Sequence, residues 1–491
     1  MLGLLLLTAA ALLIHGYHPY SEDAETYLPG IEKVLHPHLF PIGGEYFQLH
    51  AHLTWFPQLV AYSVRVFHLP LPWVLFFWQM SCFFLFLLAC WKLMCLVFPS
   101  SRSRWAGVAL VTALFTMPVA GAALYVMDPF LNPRNVIAFA EVFCVVRVLE
   151  RKYLQAALFM AFSISIHPLM SAFSMSFCLL LIWVDWRSRV NVAEGREVAE
   201  ENVVVARAAS LALPLQKLFD APTKAYDNVA SSHRYQFLAR WTWYEILGAV
   251  APLIIFEWFA RLARARGLRY LEILCRALVI YGAAYFAAGL IVSVPHRLEV
   301  LSLLQPMRSL HLVYVLMLLF MGGFLGEYVL RNRVWRWLAL FAPICTGMCV
   351  AQRTIYPASA HVEWPGARPR NPWMQAFLWA RENTPDQAIF ALDPFYMHTY
   401  GEDANGFRAV AERSQLADGA KDSGVVEMFP QIGDSWMAQV QAQTGIDQFQ
   451  RQDFERLERE YGVSWVVLRQ PGHADLDCPY QNRVVKVCRL P

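Results

Sequence analysis

The chain has 491 residues, 57% of them hydrophobic and only 16% charged, with 17 tryptophans and a formal net charge of +3. That is too apolar for a soluble protein of this length, and it places the chain in the membrane class. No nucleic-acid-binding motif is present, so nucleic acid is not an expected partner.

The chain opens on an apolar run, residues 2–14, with no basic residue before it and no small-residue cleavage site after it. It is therefore expected to be an uncleaved first span. The polar stretch 15–41, HGYHPYSEDAETYLPGIEKVLHPHLFP, packs Glu22, Asp23 and Glu25 into four positions, with His15 and His18 just upstream. Tyr27, Leu28, Ile31, Val34 and Leu35 have helical spacing. Ser21 is the expected cap of that helix, with the acids in its first turn and Pro29-Gly30 as a break or kink. The same acids have the chemistry of a general base or a metal ligand. Residues 53–67 contain Pro57 and Arg65, and are expected to form an amphipathic helix lying at the interface.

Further spans are expected at 71–97, 105–126, 136–148, 153–166, 169–184, 243–259, 271–294, 310–329 and 337–350, with a short or broken crossing at 203–218. That makes about eleven in all, a full span needing roughly 20 apolar residues. The basic residues between them cluster at Arg102/Arg104, Arg147/Arg151/Lys152, Arg187/Arg189/Arg196, Arg261/Arg264/Arg266/Arg269 and Arg331/Arg333/Arg336. The positive-inside rule puts these clusters in the cytoplasm. The intervening loops around Asp128, His167 and Arg308, together with the first loop, then face the exoplasm.

From residue 353 the chain becomes polar. A helix at 372–383, a strand at 388–392, a helix at 452–461 and strands at 463–468 and 484–489 predict a small α/β unit. The expected fold class is therefore mainly α. A polytopic helical membrane domain (1–352, with a first exoplasmic loop at 15–70) would be followed by a soluble exoplasmic α/β domain (353–491). Eight of the ten cysteines lie in apolar runs, and no CxxC pair exists. Cys478 and Cys488 flank a short segment in the predicted exoplasmic domain, and are expected to close a hairpin as a disulfide.

Several other residues could carry chemistry. Asp128 lies in MDPFLNPRN with Arg134 six residues on, a pattern that also suits a helix-terminal turn. His167 interrupts ISIHPLMS, where a histidine can bind a ligand or satisfy a freed carbonyl. Arg308 and His311 sit in LLQPMRSLHLVY at the start of a span, where an arginine either grips a lipid phosphate or snorkels. Trp241, Trp243 and Tyr244 suit an interfacial belt, and Gly322-Gly323 suits close helix packing. No Walker A sequence, serine elbow or HExxH is present.

With Glu22-Asp23-Ala24-Glu25 on the first exoplasmic loop, the chain resembles the GT-C superfamily of polytopic membrane glycosyltransferases, or a bacterial relative of unassigned function. Asp23-x-Glu25 is a variant of the family's first-loop acidic motif. The interfacial helix, the short central spans, Asp128 in the second loop and WARENTPDQAIFAL in the C-terminal portion extend the likeness. The resemblance implies a polyprenyl-phosphate-linked sugar donor, membrane lipid as surroundings, and transfer on the exoplasmic face of the plasma (inner) membrane. It makes Asp23 the base, helped by Glu22, Glu25 or Asp128. Arg308 is carried over as the basic residue of the late loop. From their own surroundings Asp128, Arg134, His167 and His311 are further candidates for substrate binding. A divalent cation, Mg or Mn, held by Asp23, Glu25 or Asp128 is the one cofactor the resemblance suggests. Two rivals use the same spans. One is a non-catalytic protein of cell-envelope polysaccharide assembly or binding. The other is a secondary transporter, which should show paired halves that this sequence lacks.

Overall fold

The computed structural model describes residues 1–193, 229, 233–293, 301–471 and 476–490. Among the described residues, thirteen α-helices precede the C-terminal portion. They are α1 (Leu2–His15), α2 (Ala24–Leu35), α3 (Glu45–Ala51), α4 (Phe56–Phe67), α5 (Leu71–Val97), α6 (Ser101–Ala113), α7 (Pro133–Leu149), α8 (Tyr153–Ile166), α9 (Pro168–Ala193), α10 (Trp243–Ala265), α11 (Arg269–Ser293), α12 (Leu310–Leu325) and α13 (Val334–Ile355). Six described helical stretches are long and apolar enough to cross a membrane: Leu71–Val97, Pro168–Arg189, Trp243–Ala265, Arg269–Ser293, Leu301–Leu330 and Val334–Ile355. Leu2–His15 and Tyr153–Ile166 are shorter apolar helices. The expected crossing at 203–218 lies outside the described residues.

Local chemistry sets the boundaries. Pro133 opens α7, and the Asn132 side chain caps it by accepting from the Asn135 amide. Pro168 separates α8 from α9. Thr242 and Glu245 form a capping box at the start of α10. Gly107 faces Leu319, and a Cβ on Gly322 would lie 2.6 Å from the Ala106 carbonyl. The glycines thus let α6 and α12 touch at backbone distance, as their sequence suggested.

The sequence misplaced two elements. The third span, expected over 105–126, ends as a helix at Ala113. Beyond it the backbone turns, and Met127 N donates to Phe115 O, Val126 N to Met117 O and Val119 N to Leu124 O. Val119, Ala122, Leu124 and Val126 are all buried. Hydropathy cannot separate such a protein-enclosed irregular segment from a helix, because both are apolar. Secondly, Ser21 does not cap α2, since its hydroxyl donates to the His18 carbonyl. The helix starts after Asp23 and runs through Pro29 without ending. The helix α4 does have two faces. Phe56, Val60 and Ala61 are buried, while Tyr62, Val66 and Phe67 are exposed.

The helices sort the charge to two ends. At one end Asp185 pairs with Arg151, Arg189 and Arg269, and Arg266 lies over the Tyr328 ring. At the other end the first loop, the Asp128 loop, the His167 junction and the start of α12 gather. His18 N donates to Pro129 O, Trp55 N to Ser165 O, and His311 meets the Val126 carbonyl. Asp185 belongs to the first of these ends and His233 to the second. His233 pairs with Glu427 of the C-terminal portion.

The C-terminal portion builds a five-stranded mixed sheet from β1 (Ile389–Leu392), β2 (Ser414–Gln415), β3 (Trp465–Arg469), β4 (Asp477–Gln481) and β5 (Val485–Arg489). The order is β2-β1-β3-β5-β4, with β1 parallel to both β2 and β3 and the last two pairings antiparallel. Helices α14 (Pro372–Asn383), α15 (Phe407–Ala411), α16 (Asp422–Met428), α17 (Gly433–Gln443) and α18 (Arg451–Tyr461) accompany it. Cys478 and Cys488 are disulfide-bonded across the β4–β5 hairpin, as their spacing predicted. The first loop is woven into this portion. Tyr17 bridges Val362, Ser21 bridges Asn405, and Gly406 N donates to Tyr20 O.

Which end of the bundle faces out is a matter for labelling. Ser435 is exposed on the C-terminal portion and Asn332 is exposed at the basic end. In a background with the reactive native cysteines replaced, a membrane-impermeant maleimide applied outside should modify Ser435→Cys and spare Asn332→Cys. The reverse pattern would invert the orientation.

Candidate functional site

The first-loop acids divide between two tasks. Asp23 ends the loop just ahead of α2 and is 31% exposed. One of its oxygens accepts from Arg134 Nη2 at 3.1 Å and the other from Lys421 Nζ at 3.2 Å. The same Arg134 nitrogen reaches Asp128 Oδ2 at 3.2 Å. Asn132 Nδ2 also donates to that oxygen, at 2.7 Å. Lys421 completes the group by donating to Glu22 Oε2 at 2.5 Å. Burial works to raise the Asp23 carboxyl, but Lys421 and Arg134 outweigh it and hold it well below the usual carboxylate range. Asp23 is therefore an anion at any physiological pH.

Glu22 is the strained member. Its φ of 55° lies in the left-handed region, sparsely populated for a residue with a side chain. The Ala404 carbonyl, accepting from its amide, and the Lys421 ammonium hold it there.

Glu25 is turned away from this group. It is fully buried and accepts from the Arg408 and Ala409 amides and from Gln415 Nε2 at 3.2, 3.2 and 3.0 Å. The Arg408 guanidinium lies 3.4 Å from it and forks onto both oxygens of Asp422, at 2.8 and 2.6 Å. Glu25 therefore joins the first loop to the C-terminal portion. It is not placed beside Asp23 as a helper, because residues two apart at a helix start point to different faces, whereas Glu22 shares the Lys421 ammonium with Asp23.

Of the later residues, Arg308 comes to the same place. Its charge acts on Asp23, Tyr27, His50 and His167. It lies over the Tyr235 ring and makes no salt bridge among the described residues. Its Nε is buried without a hydrogen-bond partner. Ala122, Tyr235, Gln236, Gln305 and Met307 line a narrow crevice with it. His167, at the α8–α9 junction, is half-buried and within electrostatic reach of Arg134, Arg308 and His50. His311 is not available in the same way, because its Nε2 is engaged by the Val126 carbonyl at 2.9 Å. His15 and His18 are also structural. His15 bonds Thr116 and the Thr112 carbonyl, and His18 meets Glu363 and stacks on Tyr356.

Sequence reasoning missed Lys421 and His50 as site residues, and placed Tyr235 only in a basic-aromatic band with His233, Arg234 and Arg240. Lys421 is 398 positions from Asp23, and nothing in its own surroundings, DGAKDSG, signals a role. Trp241, expected in an interfacial belt, is buried and donates to the Tyr235 carbonyl. It therefore positions the ring beneath Arg308, while Trp243 and Tyr244 are exposed as a belt requires.

The donor set does not fit a divalent cation. Among the described residues no three His, Cys, Asp or Glu side chains converge as a ligand group. Arg134 bridges Asp23 and Asp128 where a shared metal would sit, and Glu25 faces elsewhere.

No family model and no curated protein matches the chain. Among solved structures it is similar to the archaeal oligosaccharyltransferase AglB from Archaeoglobus fulgidus, solved with an inhibitory peptide and a dolichol-phosphate. Identity is 13%, the TM-score is 0.47, and the match covers 95% of this chain and 69% of that one.

Arg408 offers a direct test of the joint. Arg408→Met leaves Glu25 and Asp422 buried without their cation, and should destabilise the C-terminal portion by about 3–5 kcal/mol. Denaturant unfolding in detergent, followed by tryptophan fluorescence, reads the loss. A variant as stable as the wild type would mean that the ion pairs do not hold the two parts together.

Proposed function

We propose that the chain is a GT-C-like membrane glycosyltransferase, moving a sugar from a polyprenyl-phosphate-linked donor to an acceptor on the exoplasmic side. One observation carries this reading. Asp23, Arg134 with Asp128, Arg308 and Lys421, drawn from four distant parts of the sequence, meet at one end of a bundle of apolar helices. Such a convergence of unlike charges at a span end suits a ligand with a lipid tail and an anionic head. The isoprenoid tail would lie among the helices and the phosphate would meet Arg308, whose fork matches phosphate oxygens. Asp23 retains contact with water and is ionised, so it can take the proton of an acceptor hydroxyl as the glycosyl bond forms. Arg134, buried and anchored on Asp128, orients Asp23. The proposed setting is the plasma (inner) membrane of a bacterium, with residues 353–491 as a periplasmic domain.

A non-catalytic role in cell-envelope polysaccharide assembly or binding is the second reading, and a specific observation favours it. Each Asp23 oxygen already has a cation on it, which makes the resting carboxylate a weak base. The two readings separate by mutation. With purified protein and a panel of lipid-linked sugars, Asp23→Asn should lower kcat by about 100-fold while leaving donor affinity near that of the wild type. Arg308→Ala should do the opposite and raise the donor Kd by about tenfold or more. Full turnover by Asp23→Asn on a substrate that the wild type uses would remove Asp23 from catalysis. Absence of turnover on every donor, with binding retained, would favour the non-catalytic reading.

A further inference from the structure

Three cations surround Asp23, and they are not equivalent. Arg134 is buried, its side chain only 10% exposed, and it is tied to the buried Asp128 as well as to Asp23. Arg308 has no carboxylate in contact among the described residues. Lys421 is the intermediate case. It reaches in from the loop before α16, is 21% exposed, and among the described residues is held only through the two acids, with Glu22 46% and Asp23 31% exposed. An ammonium is a compact point charge on a flexible stem, able to re-aim without moving the backbone. The backbone behind it is well fixed. Lys421 N and Ala420 N donate to Asp418 Oδ1. Asp422 next along carries the Arg408 fork.

From this geometry we infer that Lys421 is a transferable counter-ion, released by Glu22 and Asp23 to the phosphate of an incoming lipid-linked ligand. The inference rests on the phosphate-bearing ligand of the reading above and adds a residue and an order of events to it. In the ligand-free state Lys421 neutralises two carboxylates. A phosphate entering toward Arg308 brings negative charge close to Asp23, which is unfavourable while both acids stay exposed to it. Swinging the ammonium onto the phosphate offsets part of the ligand's charge and forms a charge-assisted hydrogen bond, while Glu22, 46% exposed, is left to solvent. It also leaves Asp23 with Arg134 alone, so its carboxylate becomes a stronger base only when ligand is present. No covalent step is involved, and Arg134 cannot make the same move without stranding Asp128. Lys421 is thus a positioning residue supplied by the C-terminal portion. Glu22, held in its left-handed conformation, is the cradle that parks it.

The test measures binding, with no need for turnover. Full-length protein in nanodiscs is titrated with undecaprenyl monophosphate by native mass spectrometry, with inorganic phosphate in lipid-phosphate-free discs as a parallel arm. Lys421→Met should weaken lipid-phosphate binding by about tenfold, and Lys421→Arg should restore most of it. The informative variant is Glu22→Gln. It removes the competitor for the ammonium and should tighten binding severalfold, whereas a purely structural Lys421–Glu22 pair would weaken binding or leave it alone. Melting temperatures of each variant separate loss of fold from loss of ligand. If the wild type binds and Glu22→Gln binds no tighter, the hand-over is wrong although the ligand class stands. If inorganic phosphate binds as well as the lipid, the site recognises a free anion and the lipid-linked assignment fails. If the wild type binds neither, the proposed function falls with it.

Discussion

The arrangement depends on a buried ion pair. Arg408 forks onto Asp422 and touches Glu25, and all three are shielded from water. Two acids and one guanidinium in an apolar setting are stable only while every partner is present. Around them the backbone supplies further donors, the amides of Arg408 and Ala409, so both Glu25 oxygens have partners, although burial pushes its carboxyl up to about 8. A Cβ at Gly406 would collide with that carboxylate, and only glycine permits this loop to approach. The consequence is positional. Because Glu25 and Asp422 are pinned, Asp23 two residues before the one and Lys421 one residue before the other are pinned as well.

Helix α16 extends that constraint in a second direction. This one short helix carries Asp422, Ser423 and Glu427. Glu427 accepts from Gln236 and meets His233, and Ser423 Oγ lies 3.3 Å from the other nitrogen of that histidine. The serine hydroxyl donates to the Ala420 carbonyl and is buried, so the group is a tie and not a nucleophile. Through Gln236 and Tyr235 the tie reaches the crevice of Arg308. One element of the C-terminal portion therefore sets the place of Lys421 and of the segment beneath Arg308.

Much of the fold was legible because its signals are local. Asn132-Pro133, Pro168, Thr242 with Glu245, and Asn371-Pro372 mark helix starts in any context. Three of the five strands in the C-terminal portion, β1, β3 and β5, were read from the sequence, while β2 and β4 were not; the hairpin disulfide followed from two cysteines ten residues apart. What failed was not local. The apolar residues 114–126 read as helix, but they are enclosed by other segments that permit turns. Glu25 looked like a partner of Asp23, yet Arg408 and Gln415, more than 380 positions away, decide where it points. Lys421 was invisible for the same reason. Pairings between distant loops leave no period and no spacing in one sequence.

The charge balance of the cluster has a final consequence. Glu22, Asp23 and Asp128 oppose Arg134, Lys421 and Arg308, so the group is neutral as it stands. Neutrality suits the ligand-free state, since an uncompensated charge at a span end is costly. It also means that an anionic ligand cannot bind by net attraction to the cluster and must rearrange it. Of the three cations, one is already committed to two acids, and one lacks an acid altogether. The third is shared between an exposed acid and a half-exposed one. The first keeps Asp23 oriented and the second attracts phosphate. Only the third can change partners. The cluster therefore combines a fixed electrostatic frame with a single movable charge, and the movable charge comes from the part of the chain that the bundle itself does not supply.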